Sequence, residues 1–300
     1  MNKSSIIAAA ALILVGANSH ADSYISVGAF QSEFAGSEFD REYKSDVNNI
    51  QQLKFGYKDR KLAEFFGGAT FDEDNKVRDY LLSIALDDTI IHLERGKISG
   101  DIVSDNGQDL GEFDNDFIRF NILDNKLDAD GFSIGVGFQR YAVPHLFEYN
   151  DGSTQGPMLQ DDELTFTSIG LGFFYDPIYN FLRSDEMISK TDWYFATSGL
   201  AISLAQAKAS DAEPLKQRGV EEQTWYLWGN SATYELGLFY GMKNQHLRFT
   251  ANIGYHIRAN TFFNINPSEA FAMEAERNDI LLDSHQTILH GLTAAVSLVF

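Results

Sequence analysis

Nine ionisable residues fall on one face of candidate β-strands: Lys54, Glu64, His92, Glu94, Arg119, Glu235, Arg248, His256 and Arg258. Along a strand, successive side chains meet two different surroundings, so a charge flanked by apolar neighbours points away from whatever those neighbours face. Two chemistries suit such a set. Acids and bases opposed across a narrow interior pair with one another and fill it. Alternatively, Arg248, His256 and Arg258, which share one parity along 248–258, form a basic stripe lining a constriction that passes small anions. Either way these residues are lumen or channel lining rather than a reaction centre. The remaining reactive residue types form no Ser-His-Asp order, nucleotide-binding loop or metal-ligand cluster. No loop carries the Asp-x-Asp-x-Asp-Gly calcium pattern with its later Glu. There is no cysteine, which removes thiol chemistry and cysteine-ligated metals. No catalytic residue, metal or cofactor is expected. A net charge of −20 argues against nucleic acid as a partner.

The elements that position these residues alternate with a period of two. The clearest is His246–Asn260, where Leu247, Phe249, Ala251, Ile253, Tyr255 and Ile257 oppose Arg248, Thr250, Asn252, Gly254, His256 and Arg258. In Gly131–Val143, Phe132, Ile134, Val136 and Phe138 oppose Ser133, Gly135, Gly137 and Gln139. The closing stretch, Gln286–Phe300, sets Ile288, His290, Leu292, Ala294, Val296, Leu298 and Phe300 against small or hydroxylated residues for most of its length. Twelve strands are expected, at about 23–34, 48–58, 62–71, 77–86, 89–98, 116–123, 131–143, 164–175, 193–208, 224–240, 246–260 and 286–300. The fold class is all-β: a single closed antiparallel transmembrane β-barrel of about 12 strands, with 10 or 14 also compatible. Long connections (35–47, 99–115, 144–163, 209–223, 261–283) alternate with short ones, except that 72–76 is short and 176–192 long. Most of the acidic excess falls in the expected outer loops, which reads as a solvated surface.

Lys3, the apolar run Ile6–Val15 and Ser19-His20-Ala21 form a secretory signal peptide, so 1–21 is expected to be removed and 22–300 to form the barrel. No later stretch is long and apolar enough to span a bilayer as a helix, and a membrane protein without such helices must close its sheet. Aromatic girdles are expected from Tyr175, Trp193, Tyr194, Tyr240 and Phe300 at the periplasmic interface, and from Tyr226 and Trp228 at the outer one. A tight turn at 241–244 would set Glu235 opposite Thr250 and within reach of Arg248, giving an ion pair.

The final strand, Leu292, Ala294, Val296, Leu298 and Phe300, resembles the C-terminal signature of Gram-negative outer-membrane barrels. That resemblance implies recognition by the barrel-assembly machinery and a place among outer-membrane lipid and lipopolysaccharide. Strand number and size also resemble a solitary autotransporter-like β-domain lacking passenger and linker helix. Asp72-Glu73-Asp74 and Asp283-Ser284-His285 have the spacings of the carboxylate and Asp-x-His pairs of omptin proteases; the Tyr-His-Ser-Gly-Asn run of surface phospholipases is absent. The expected function is an integral outer-membrane barrel with acidic extracellular loops, a largely side-chain-filled lumen and a structural or surface role. The alternatives are a narrow diffusion channel for small solutes or an outer-membrane hydrolase.

Overall fold

The computed structural model describes residues 22–38, 41–45, 48–58, 63–69, 76–85, 88–104, 107, 109–125, 132–147, 158–177, 181, 189–210, 222–243, 248–265 and 284–299. The expected signal peptide lies outside the described residues. Among the described residues thirteen strands form: β1 (Asp22–Glu38), β2 (Arg41–Ser45), β3 (Asn48–Lys58), β4 (Ala63–Ala69), β5 (Lys76–Ala85), β6 (Thr89–Ser104), β7 (Asp109–Asp124), β8 (Ser133–Phe147), β9 (Met158–Tyr175), β10 (Ser189–Ser210), β11 (Glu222–Lys243), β12 (Arg248–Asn264) and β13 (Ser284–Val299). All belong to one antiparallel sheet, and the last strand pairs with the first, Val299 opposite Tyr24.

Strands β2 and β3 make one wall. As β1 advances from Ser32 to Ala35, its partner steps from Asn48 to Lys44, four residues against three. The register therefore shifts by one residue between the two ladders. Counted this way the barrel has the twelve expected walls. Strand β2 also pairs with β6, Tyr43 opposite Ser104. The bridged strands therefore complete a cycle from β1 through β2, β6 and the following strands to β13 and back to β1. Beneath that bridge the short hairpin β4–β5 fills the wall, paired to β6 on one side and lying beside β3 on the other. Closure of this cycle by β2 and β6 joins the two ends of the sheet, as a sheet placed in lipid requires.

The two ends of the barrel differ in which side is apolar. Toward the chain termini the exterior is greasy and the interior polar. On β8, Ile134, Val136 and Phe138 are exposed, whereas Ser133 and Gln139 are buried. On β7, Ile118, Phe120 and Ile122 are exposed while Arg119 and Asn121 are buried. Toward the loops the polarity inverts. Arg140 is exposed while Tyr141 and Val143 are buried, and on β9 Leu164 and Phe166 turn inward while Thr165 and Thr167 turn outward. The buried loop-end residues form one cluster that includes Phe117, Tyr141, Leu164, Phe166, Trp225, Leu227 and Phe262. An exposed apolar band this wide is foreign to a water-soluble surface and is what a lipid-facing barrel requires.

Two strand-level expectations are corrected. The loops expected at 35–47 and 99–115 are largely strand, since Glu38 pairs Arg41, β6 runs to Ser104 and β7 starts at Asp109. Their apolar-out pattern ends where the polarity inverts, although the backbone pairing continues. The β11–β12 ladder continues to Lys243 opposite Arg248, so Glu235 faces His256 rather than Thr250. Gly241 resembles a turn residue but stays in the ladder, because its bare inward face receives the Phe181 ring: a Cβ there would lie 2.2 Å from a ring carbon. A bulge between Leu200 and Ser203 resets the phase of β10, so that Trp193 and Phe195 before it, and Ile202 and Leu204 after it, all face outward.

Candidate functional site

Where the interior changes from polar to apolar, a belt of side chains crosses the barrel. Glu94 lies at its centre. Arg119 Nη1 donates to Glu94 Oε2 at 2.8 Å, and Arg258 Nη2 to Glu94 Oε1 at 3.2 Å. One carboxylate thus joins β6 to its neighbour β7 and to the distant β12. Arg119 spreads its remaining donors: Nε to Gln139 Oε1 at 2.9 Å and Nη2 to Ser231 Oγ at 3.0 Å. Ser231 Oγ donates to Gln139 at 2.7 Å and also meets Asn260. Gln139 Nε2 donates to Asn260 Oδ1 at 3.3 Å, and Asn260 Nδ2 to Thr287 Oγ1 at 3.4 Å. Tyr141 contacts Thr287 and accepts from Asn115 Nδ2 at 2.8 Å.

Arg119 is 2% exposed and Glu94 9%, so the belt sits away from water. A buried ion pair is tolerated when its remaining donors and acceptors are met, and the planar guanidinium of Arg119 meets three partners at once. Phe117 closes the belt on its loop side, with the Arg258 guanidinium 4.5 Å and that of Arg119 5.8 Å from its ring centre. Beyond Phe117 the interior is apolar, with Phe166 and Phe262 stacked at 4.7 Å.

A second polar group lies nearer the termini. Tyr194 donates to Glu235, and Asn252 Nδ2 donates to Tyr194 at 3.1 Å and to Glu235 at 3.3 Å. His256 Nδ1 stands 3.8 Å from the other Glu235 oxygen. At the terminal mouth, Phe181 lies edge-on to Phe239 at 5.5 Å, and Lys243 Nζ is 4.4 Å from the Phe181 ring centre.

The residues singled out by sequence are thus divided among layers. Glu94, Arg119 and Arg258 meet in the belt. Glu235 and His256 meet below it, and Arg248 stands at the terminal end, half-buried and opposite Lys243 and Val299. Arg248 is eight residues from the partner of Glu235, ~26 Å along the strand, so the expected Glu235–Arg248 pair does not form. His92 is buried with its ring edge-on to Phe174 at 4.5 Å. Lys54 stands opposite Ser26 and Glu64 opposite Ser83 in the register, with their side chains outside the description.

Tyr194 was expected in the girdle but points inward, 3% exposed, because it is the partner of Glu235. Tyr240 and the end of β13 do share one end of the barrel. Of the closing signature, Leu292, Ala294, Val296 and Leu298 face outward and Phe300 lies outside the described residues. His285 of the Asp-x-His spacing is fully buried against Tyr141 and Phe166. Asp283 and the stretch 72–74 lie outside the described residues. Sequence reasoning missed the uncharged members of the belt, Gln139, Ser231, Asn260 and Thr287. Their signal was weak: a polar residue at an inward parity position, no different from any other lumen filler.

No family model and no curated protein matches the chain. Among solved structures, the toluene transporter TodX of Pseudomonas putida aligns over 97% of this chain and 93% of its own, at 11% identity and a TM-score of 0.25. The CymD monoaromatic hydrocarbon channel aligns over 92% and 87%, at 8% identity and a TM-score of 0.25. Scores this low assign no residue and no activity to this chain.

Proposed function

We propose that the protein is an integral outer-membrane barrel, exported by a signal peptide ending at Ala21, with acidic extracellular loops and a structural or surface role. One observation carries this reading: the belt around Glu94 bonds non-neighbouring walls to one another, which supports an interior closed at rest. The exposed apolar band supports the membrane placement. The closing strand, Leu292 to Phe300, is the proposed contact with the barrel-assembly machinery. Lipid and lipopolysaccharide are the proposed surroundings.

The test is planar-bilayer recording of refolded protein, paired with migration on a denaturing gel before and after heating. A heat-dependent band shift and no steady conductance are expected. Unitary conductance steps from the unaltered protein would overturn the closed interior. A chain that stays dispersed without lipid or detergent would overturn the membrane reading.

A second reading is a narrow channel for small solutes. It is favoured by the belt's composition, since hydrogen bonds and a shared carboxylate rearrange more readily than packed rings. The toluene and hydrocarbons in the names of TodX and CymD are not carried over.

A further inference from the structure

The inversion of polarity marks a level on the outside of the barrel as well. On β6, β7 and β8 the last apolar row is Leu93, Phe120 and Phe138, which are register partners and all outward-facing. The next row toward the loops is Arg95, Ile118 and Arg140, again direct partners. Ile118 is flanked by a guanidinium-bearing residue on each side. The row above that is Lys97, Asp116 and Ala142. Arg95, Lys97 and Arg140 are all exposed, and Arg95 Nη2 lies 3.6 Å from Asp116 Oδ2. Two rows thus hold three cations and one carboxylate, in a chain that has 43 acidic residues against 23 basic ones.

The position of this cluster is as informative as its charge. The side chains beneath it suit acyl chains, and the exposed residues above it suit water. A group binding there meets hydrocarbon below and cations at its own level, which is the environment of a lipid headgroup. Adjacent strands lie about 4.8 Å apart, so Arg95 and Arg140 have Cα atoms roughly 10 Å apart. Side chains of that length converge on, or bridge, two phosphates. Guanidinium groups suit phosphate because they offer paired donors in a plane. The Asp116 carboxylate holds Arg95 close to the wall.

We propose that Arg95, Arg140 and Lys97 form an exterior binding site for a diphosphorylated glycolipid of the loop-side leaflet, the headgroup chemistry of lipopolysaccharide. Its acyl chains lie along Leu93, Ile118, Phe120 and Phe138. The site gives an acidic protein a local point of attraction to a leaflet whose phosphates its loops would otherwise repel. The inference rests on the outer-membrane reading, and the test separates the two.

Refolded protein in detergent is mixed with diphosphoryl lipid A, monophosphoryl lipid A, phosphatidylglycerol or phosphatidylethanolamine, and retained lipid is counted by native mass spectrometry. One diphosphoryl lipid A is expected to stay bound in preference to the other three. The double substitution Arg95→Gln and Arg140→Gln is expected to weaken retention about tenfold or more, each basic residue near an anionic lipid surface contributing on the order of 1 kcal/mol. Lys190→Gln removes an exposed cation paired with Asp192 at the terminal end and is expected to change nothing. Equal retention by the double variant would overturn the site, and equal retention of phosphatidylglycerol would overturn the choice of lipid. Heat-modifiable migration of the same samples reports on insertion: a double variant that shifts normally but loses lipid supports the site. Loss of the shift in the unaltered protein would instead strike the membrane reading.

Discussion

The two halves of the barrel obey opposite rules on the same strands. On β8, outward Val136 is 61% exposed and inward Gln139 1%. Two residues past Gln139, Tyr141 is the buried, ring-packed member and its neighbour Arg140 is the exposed one. The terminal half is built for lipid, with a polar interior held by the belt and by the Glu235 group. The loop half is built as a water-soluble barrel is, with an apolar core around Phe166 and Phe262. Strands β7, β8 and β9 run through the boundary unbroken, so their hydrogen-bonded pairing is indifferent to the medium and only the side-chain pattern records it. The Glu94 belt stands at that boundary inside, and the Arg95–Arg140 row stands there outside.

The largest expected effect comes from removing the carboxylate at the boundary. Glu94→Ala leaves Arg119 and Arg258 without their shared acid. Truncating one partner of a buried pair costs about 3–5 kcal/mol. Urea unfolding in micelles should show a loss of that size, and planar bilayers should show conductance with a preference for anions. A variant that lost stability but stayed silent would mean that the apolar layer alone closes the barrel.

A second test sets the halves against each other. Val136→Arg places a charge in the lipid-facing band and should cost about 2–4 kcal/mol if that band lies at the bilayer midplane. Thr165→Arg, on the outward face of the loop half, should stay within about 0.5 kcal/mol. Equal costs would mean that the polarity inversion does not mark the edge of the membrane.

That inversion also explains what the sequence disclosed and what it hid. The twelve walls were legible because lipid imposes a strict apolar-out alternation, clearest in 131–143 and 246–260. The strand ends were not. The expected strand at 116–123 began where Asp116 follows the inward Asn115, yet β7 starts at Asp109. Past the boundary the period of two persists while the apolar face switches sides, so a reading that follows one greasy face stops too early. On the parity read as inward, Glu94, Arg119 and Arg258 are buried and Glu235 and His256 half-buried, since parity is local. Which of them meet depends on hairpin register, and a ladder that runs on through Gly241 to Lys243 carries Glu235 to His256 and away from Arg248. The crossing contacts, such as Arg119 to Ser231, depend on the barrel's closure and have no signature along the chain.

The smallest expected effect tests whether the level of a charge, rather than its identity, decides its importance. Glu94 and Glu235 are both inward carboxylates in hydrogen-bonded groups. Glu94 is bonded to two guanidinium groups from β7 and β12, whereas Glu235 accepts from the neutral donors of Tyr194 and Asn252 and stands at 3.8 Å from His256. Its side chain is 15% exposed, so water reaches the group and can replace a lost partner. Glu235→Gln preserves the shape and still accepts from Tyr194 through its amide oxygen. The expected loss is about 1 kcal/mol, the net worth of one hydrogen bond. Conductance should remain absent, because the belt above is untouched. Bilayer recording of Glu235→Gln beside Glu94→Ala gives the comparison directly. A leak from the former as large as from the latter would place the closure at the terminal half's lower group and not at the boundary.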